Sequence, residues 1–401
     1  MHRLLMMSLA SLRRGVLCLG LTVLVGTVLT SCRTTPEEIP GREGVPLPEG
    51  VEMATLDFSS EVIAEGFSIP WSIAVLAGDE YLVTERMGEL VYIKDGHAIE
   101  LDGLPETRTI KSDRHYGGVM GVSLHPLFRD NRLVYLAYVD HDLHMVVARF
   151  TFIDQSIREF EVIFESNAFS LGSRIEWEDD SHFFVSQGAA GFPLPDPGPQ
   201  DVMSDAGKVH RLMEDGSIPT DNPVFEGQSE PSSIWSYGHR DVQGLFLDRD
   251  NDVLYATEHG PLGGDELNVI KKSGNYGWPR FSHGLNYDGS IVGDLSEAEA
   301  DSLSILPLKS WGTTFNIAPS SLERVSIPSI GTRFVWGSLV QQRLIAYELE
   351  TGMTTIILDD VGRVRDTKQL PDGDLLILVD ARESDGPNSG RLVKLTLVES
   401  Q

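Results

Sequence analysis

Residues 257–279 read TEHGPLGGDELNVIKKSGNYGWP and carry Glu258, His259, Asp265, Glu266, Asn268 and Tyr276 among seven glycines and prolines. The stretch is too polar and too broken for a core strand. Glycine and proline set turns and free backbone carbonyls, and carboxylates clustered beside carbonyls suit a hard cation such as calcium. The same composition also suits a solvated acidic β-turn, and on this window alone both readings stand.

The elements that must hold such a loop recur along the chain. An acidic or Asn/Gly turn followed by a short alternating or apolar strand appears as AGDEYLVTER near 80, FRDNRLVYLAYV near 130, EDDSHFFVSQG near 180, DRDNDVLYATEHG near 251 and LPDGDLLILVDA near 373. A sixth group, FVWGSLVQQRLIAYELETG, lies near 340. Six uneven units with strands on either side predict an all-β chain folded as a six-bladed β-propeller, with a pair of β-sandwiches as the alternative. Amphipathic helices are scarce; GDLSEAEADSLS at 293–304 is the best short candidate, or a loop. Radial closure leaves few free strand edges and gathers the loops of one face over the central channel, so function is expected in those loops.

Several segments together match one family. SIPWSIAVLAGDEYLVTERMGELVYI, GGVMGVSLHPLFRDNRLVYLAYV, GKVHRLMEDGSIPTDNPVF, IWSYGHRDVQGLFLD, TEHGPLGGDELNVIKKSGNYGWP and GRVRDTKQLPDGDLLILVD occur in this order. Over most of residues 58–398 the chain resembles the soluble quinoprotein aldose dehydrogenases of the glucose/sorbosone dehydrogenase family. The resemblance implies a propeller that holds pyrroloquinoline quinone (PQQ) over its channel, with a calcium ion bound by the carbonyls of Gly260 and Pro261. It implies a second, structural calcium at Glu266 and the backbone oxygen of Tyr276. PQQ carries three carboxylates, which arginines can bind while staying charged. The family arginines map to Arg240, Arg363 and Arg365, with Asn316 and His259 as further cofactor contacts; His259 and Asp265 are also placed to brace the loop. Asp241 and Asp366 are adjacent in sequence to two of these arginines and could instead pair with them.

The match breaks at the catalytic position. The family deprotonates the sugar hydroxyl with a histidine in a block like HFGGR; here the stretch is AFSLGSRIEWEDD and the base position is Ser170, whose hydroxyl does not titrate near neutrality. Tyr116 replaces a glutamine, Asp241 an asparagine and Val340 a lysine, SQGAAG at 186–191 stands for GDR, and APSSLERVS at 318–326 replaces APSGMAFYTG. Two substitutes for the base are expected: Asp241, if burial raises its proton affinity, and His115. Two functions follow from these features. One is a PQQ- and calcium-dependent sugar oxidoreductase with altered catalytic residues; the other is a catalytically inactive propeller acting as a binding or assembly module. A calcium-dependent lactonase-type hydrolase shares the architecture but lacks a visible acid/base histidine set.

The N-terminus reads as an export signal. Arg13 and Arg14 precede an apolar run from Gly15 to Leu29, and Leu29-Thr30-Ser31 before Cys32 fits a bacterial lipobox. The expected layout is a lipoprotein signal peptide over 1–31, a flexible tether over 32–52 and the propeller domain over 53–401, lipid-anchored at Cys32 to a membrane on its periplasmic or envelope side. The only cysteines are Cys18 and Cys32, so the domain has no disulfide. Removing residues 1–31 removes Arg3, Arg13 and Arg14 and no acidic residue, which leaves 29 basic residues against 60 acidic ones and a formal charge of −31. Such a surface repels phosphate backbones, so nucleic acid is excluded as a partner. The expected partner is a sugar or other small molecule, and a homodimer is compatible with the family reading.

Overall fold

A computed structural model of the protein describes residues 40–41, 45–54, 56–110, 116–189, 198–380 and 388–398. The expected signal peptide, Cys32 and His115 lie outside the described residues, as does the side chain of Tyr116.

Six antiparallel sheets follow one another in sequence order. Blade 1 comprises Pro70–Ala77, Glu80–Glu85, Leu90–Lys94 and His97–Glu100. Blade 2 comprises Val119–Leu124, Leu133–Val139, Met145–Ile153 and Ser156–Glu165. Blade 3 comprises Ile175–Trp177, His182–Gln187, Lys208–Met213 and Ile234–Tyr237, and blade 4 Val242–Asp248, Val253–Glu258, Glu266–Ile270 and Lys309–Ser310. Blade 5 comprises Glu323–Ile327, Gly331–Gly337, Leu344–Tyr347 and Thr354–Leu358. Blade 6 takes Arg363–Gln369, Leu375–Asp380 and Gly390–Leu397 from the end of the chain, and Phe58–Phe67 from its beginning. That last pairing ties the two ends of the domain together and closes the ring, so no blade is left without its outer strand.

Burial explains why the strand patterns differ. Second strands such as LVYLAYV and LLILVD are buried almost throughout, because each is covered on both faces by neighbouring blades. The outer strand His97–Glu100 is exposed at every position. The apolar core accordingly forms one cluster in each gap between adjacent blades, for example Leu82, Leu90 and Tyr92 of blade 1 against Val134, Leu136 and Phe150 of blade 2.

The helical expectation at 293–304 is met by Glu297–Leu303, which Ser296 starts with a capping box: its hydroxyl accepts from the Glu299 N–H, and the Glu299 carboxylate accepts from the Ser296 N–H at 2.9 Å. The end of the expected tether differs. Val51–Met53 runs parallel to Thr354–Ile356 as a fifth strand of blade 5, Leu47 and Val51 pack on the core between blades 4 and 5, and the Pro40 carbonyl accepts from Arg343 Nη1 at 2.7 Å. The few apolar residues in this polar stretch cover the edge of blade 5 and dock it there.

Candidate active site

The loop after Val253–Glu258 is built around Asp265. Its buried carboxylate accepts from the Gly260 N–H at 3.0 Å through one oxygen and from the Ile317 and Ala318 N–H groups at 2.8 Å through the other. This bracing role is the one expected for Asp265, and it fixes the backbone beside Gly260 and Pro261. A Cβ on Gly260 would lie 2.0 Å from the Gly263 oxygen, and Gly264 combines a φ of 70° with a contact of 2.2 Å from such a Cβ to the Gly284 nitrogen. Only glycine fits either position. Among the described residues, neither the Gly260 nor the Pro261 carbonyl accepts a hydrogen bond.

Below this loop lies a buried acidic cluster. Glu258 accepts from His239 Nδ1 at 3.0 Å and from the Arg240 N–H. Asn268 Nδ2 donates to Glu266 at 3.1 Å, whereas Asn268 Oδ1 is buried without a partner. Burial raises the Glu266 pKa above the ordinary carboxylate value, against a hydrogen bond from His283, and the nearby Glu258 charge adds to the rise. Tyr276 stacks on His239 with ring centroids 4.4 Å apart, and its hydroxyl bonds the Lys271 N–H and the Val269 carbonyl. A side chain held at both ends keeps the Tyr276 backbone in place. A strained carboxylate beside an orphaned amide oxygen is a donor set that a hard cation would satisfy, so these residues fit calcium.

The arginines come from two segments, Arg240 from the turn before blade 4 and Arg363 with Arg365 from the inner strand of blade 6. Arg240 Nη1 donates to the His259 carbonyl at 3.0 Å, and its buried Nε has no partner. Arg365 Nη2 donates to Asp380 at 2.8 Å, and Arg363 Nη1 donates to the Leu339 carbonyl at 2.8 Å. The pairing considered with Asp366 does not form: Asp366 accepts from the Ile73 N–H at 2.9 Å and lies 3.8 Å from Arg174. Asn316 presents its carbonyl to Gln341 Nε2 at 2.9 Å, next to the segment held by Asp265. His259 Nε2 lies 2.8 Å from the Pro319 oxygen and Nδ1 lies 3.6 Å from Asp241, so its ring braces two walls.

At the family's base position the hydroxyl is already engaged. Ser170 is fully buried; its hydroxyl donates to the Gly172 carbonyl at 2.6 Å and accepts from the Gly188 N–H at 3.1 Å. The oxygen at the family's base position is therefore a structural pin. Asp241 also departs from expectation. Burial does push its pKa up, but the hydrogen bond and charge of His259, with Arg240 and Gln243, outweigh this and hold it below the usual carboxylate value. Such a carboxylate stays ionised and is a poor proton acceptor. A Cβ on Gly188 would lie 2.5 Å from Asp241 Oδ1, so the aspartate fills space that a side chain at 188 would need. Val340, where the family has a cation, offers only an apolar side chain.

Sequence reasoning overlooked the hub beneath the pocket. Arg174 is buried and donates to the carbonyls of Trp71, Gln243, Ser320 and Arg365 at 2.7–2.8 Å, joining segments of blades 1, 4, 5 and 6 to its own position just before blade 3. Trp71 meets three guanidinium groups, with the Arg86, Arg365 and Arg174 carbons 3.9, 4.9 and 5.2 Å from a ring centroid. The one available signal was that each residue sits at a strand end facing the channel.

A six-bladed propeller with a glycine-built loop and a buried acidic cluster at one end of blade 4 is the architecture that the comparisons with known proteins also find. The chain belongs to the Glucose / Sorbosone dehydrogenase family, whose sequence profile matches residues 67–393. It is 28% identical over 355 residues to the aldose sugar dehydrogenase YliI of Escherichia coli K12, covering 84% of this chain and 92% of that protein. It is 32% identical over 416 residues to an uncharacterized protein of Synechocystis, slr1608, covering 94% of this chain and 98% of the relative. Among solved structures, the PQQ-bound aldose sugar dehydrogenase of Streptomyces coelicolor superposes with a TM-score of 0.66 at 25% identity, covering 86% of this chain and 99% of that one.

Proposed function

We propose that this protein is a PQQ- and calcium-dependent oxidoreductase that takes a sugar hydroxyl to the carbonyl level. The observation that supports the reading is the loop built around Asp265, which leaves the Gly260 and Pro261 carbonyls without hydrogen bonds, with Arg240 bonded to the adjacent His259 carbonyl and Arg363 and Arg365 at the start of the inner strand of blade 6. The three guanidiniums would hold the cofactor carboxylates, with Asn316 beside them and His259 fixing the loop. The Gly260 and Pro261 carbonyls would bind the first calcium. Glu266 and the Tyr276 carbonyl would bind the second, with Asn268 Oδ1 as a further donor. When bound, PQQ supplies a two-electron acceptor, and the first calcium polarises it.

Ser170 and Asp241 position the site rather than act as a base, so the hydroxyl proton would pass to solvent as the hydride goes to the bound cofactor. Ser170 holds the Gly172 and Gly188 backbones, and Asp241, kept ionised, fixes the His259 ring and adds negative charge to the pocket. The same two residues support a second reading, a propeller that binds its cofactor or a sugar without turnover.

One titration separates the readings. The mature protein is titrated with PQQ and calcium while cofactor absorbance and dye reduction with aldoses are followed. Saturable binding with dye reduction is expected; binding without reduction selects the second reading, and no binding defeats the cofactor reading. Asp241→Asn, assayed alongside, is expected to alter the rate by less than tenfold, and a complete loss would restore Asp241 as the base.

For placement in the cell, the proposal is export and lipid attachment at Cys32, with the propeller on the periplasmic or envelope side and Val45–Gly50 leading from the tether onto blade 5. Metabolic labelling with a palmitate analogue, lost in Cys32→Ser, tests it. A homodimer is part of the same proposal, tested by light scattering of the soluble domain.

A further inference from the structure

Immediately after Pro261 the chain presents an exposed apolar ridge. Leu262 pairs with Leu285, and Leu285 in turn with Ile291, so the segment 285–291 folds back as a small hairpin over the cofactor loop. At its tip Asp288 accepts from the Ser290 N–H and hydroxyl, and Asn286 Nδ2 donates to the Ile291 carbonyl at 3.0 Å. The base of the excursion is clamped by Arg280 and Asp294 at 3.0 Å. These contacts fix the placement of Tyr287, which is 64% exposed while its hydroxyl accepts from Arg240 Nη2 at 3.4 Å. Leu262 and Ile291, 38% and 77% exposed, flank it.

The hairpin thus sets a largely exposed aromatic ring beside Arg240, at the edge of the candidate site. A phenol ring has a negatively polarised face that attracts weakly positive C–H groups, and a pyranose ring presents a face of such groups between its polar edges. Resting on the reading above that the pocket takes a sugar, we propose that Tyr287 is the stacking platform for the pyranose ring of the substrate, with Leu262 and Ile291 forming the apolar rim. Tyr287 is then a positioning residue that sets affinity and ring-form specificity, and the face it covers decides which hydroxyl points toward the cofactor.

The test uses the full mature protein reconstituted with PQQ and calcium, with D-glucose as the probe. Saturation-transfer NMR gives sugar affinity without turnover, steady-state rates give KM and kcat where turnover occurs, and cofactor absorbance gives PQQ affinity. Tyr287→Ala is expected to weaken D-glucose about tenfold and raise KM alike, with kcat and PQQ affinity within about twofold; Tyr287→Phe, which keeps the ring, stays within about twofold in all three. Unchanged glucose affinity in Tyr287→Ala overturns the proposal while leaving the sugar reading intact. A loss of PQQ affinity in both variants also overturns it, because the hydroxyl would then be serving the cofactor through Arg240. Wild-type protein that binds PQQ but shows no saturation transfer to glucose removes the sugar reading, and the proposal with it.

Discussion

The two walls of the pocket contrast in how their polar groups are satisfied. The blade 4 wall leaves Asn268 Oδ1 and Arg240 Nε buried without partners, keeps Glu266 at raised proton affinity and points two unbonded carbonyls at the channel mouth. On the wall running from 170 to 188, the Ser170 hydroxyl both donates and accepts at normal distances. Buried polar groups without partners are costly, and both walls hold some, Ser173 Oγ and Gln187 Oε1 among them; the blade 4 wall differs in setting them beside a carboxylate of raised proton affinity and two unbonded carbonyls, a donor set that a bound cation would satisfy. The chain has thus kept a demand for ligand on one side and relinquished the titrating group on the other.

The largest expected effect falls on the floor that both walls share. Arg174→Met leaves four buried carbonyls without donors and should cost about 4 kcal/mol, read as a drop in urea midpoint. A loss below about 1 kcal/mol would mean the walls do not depend on a common hub.

A change of about 3 kcal/mol is expected from pH, through Glu85 at the end of the second strand of blade 1. Burial, with help from Glu89 and Glu100, pushes Glu85 up to about 7 despite a hydrogen bond from the Ser68 N–H. Its neutral form is favoured by the fold, so this stability is fully present below the ordinary value of 4.5 and is lost as pH rises through about 7. Unfolding free energies measured between pH 4.5 and 7.5 should fall by about that amount, and Glu85→Gln should flatten the slope. An unchanged slope in the variant would assign the dependence elsewhere.

Calcium is expected to act on the blade 4 wall alone. At free calcium about a hundredfold above its dissociation constant, the stabilisation is about 2.7 kcal/mol, and chelation removes it. Glu266→Ala should abolish the second ion's share of the calcium-dependent melting shift, whereas Ser170→Ala should leave the whole shift intact. Equal sensitivity in both would erase the distinction between the walls.

The smallest effect sharpens the other side. Ser170→Ala removes one donor and one acceptor and should cost about 1–2 kcal/mol in thermal unfolding, with any sugar oxidation unchanged. Abolished turnover with an intact fold would make Ser170 part of the chemistry.

Much of this molecule could be read before folding. Apolar second strands after acidic turns marked the blades, because a strand covered on both faces must be apolar throughout. The glycines of 257–279 marked a turn-rich loop with free carbonyls, and GDLSEAEADSLS marked the short helix that forms at Glu297–Leu303. These are local properties, set by backbone sterics and by residues a few positions apart.

What only the tertiary structure decided depends on partners far apart in the chain. Asp241 looked like a carboxylate that burial would turn into a base, but the charges set beside it by the fold, His259 and Arg240, reverse the sign. Arg365 looked like a partner for its neighbour Asp366, yet strand geometry sends adjacent side chains to opposite faces, and each finds its own contact. The tether seemed free until blade 5 supplied an edge for Val51–Met53. Composition along the chain determined that there would be a propeller with a ligand-hungry loop; the proton affinities and pairings at its mouth were decided by ring closure, which brings Trp71 and Arg174, 103 positions apart, into one hydrogen bond.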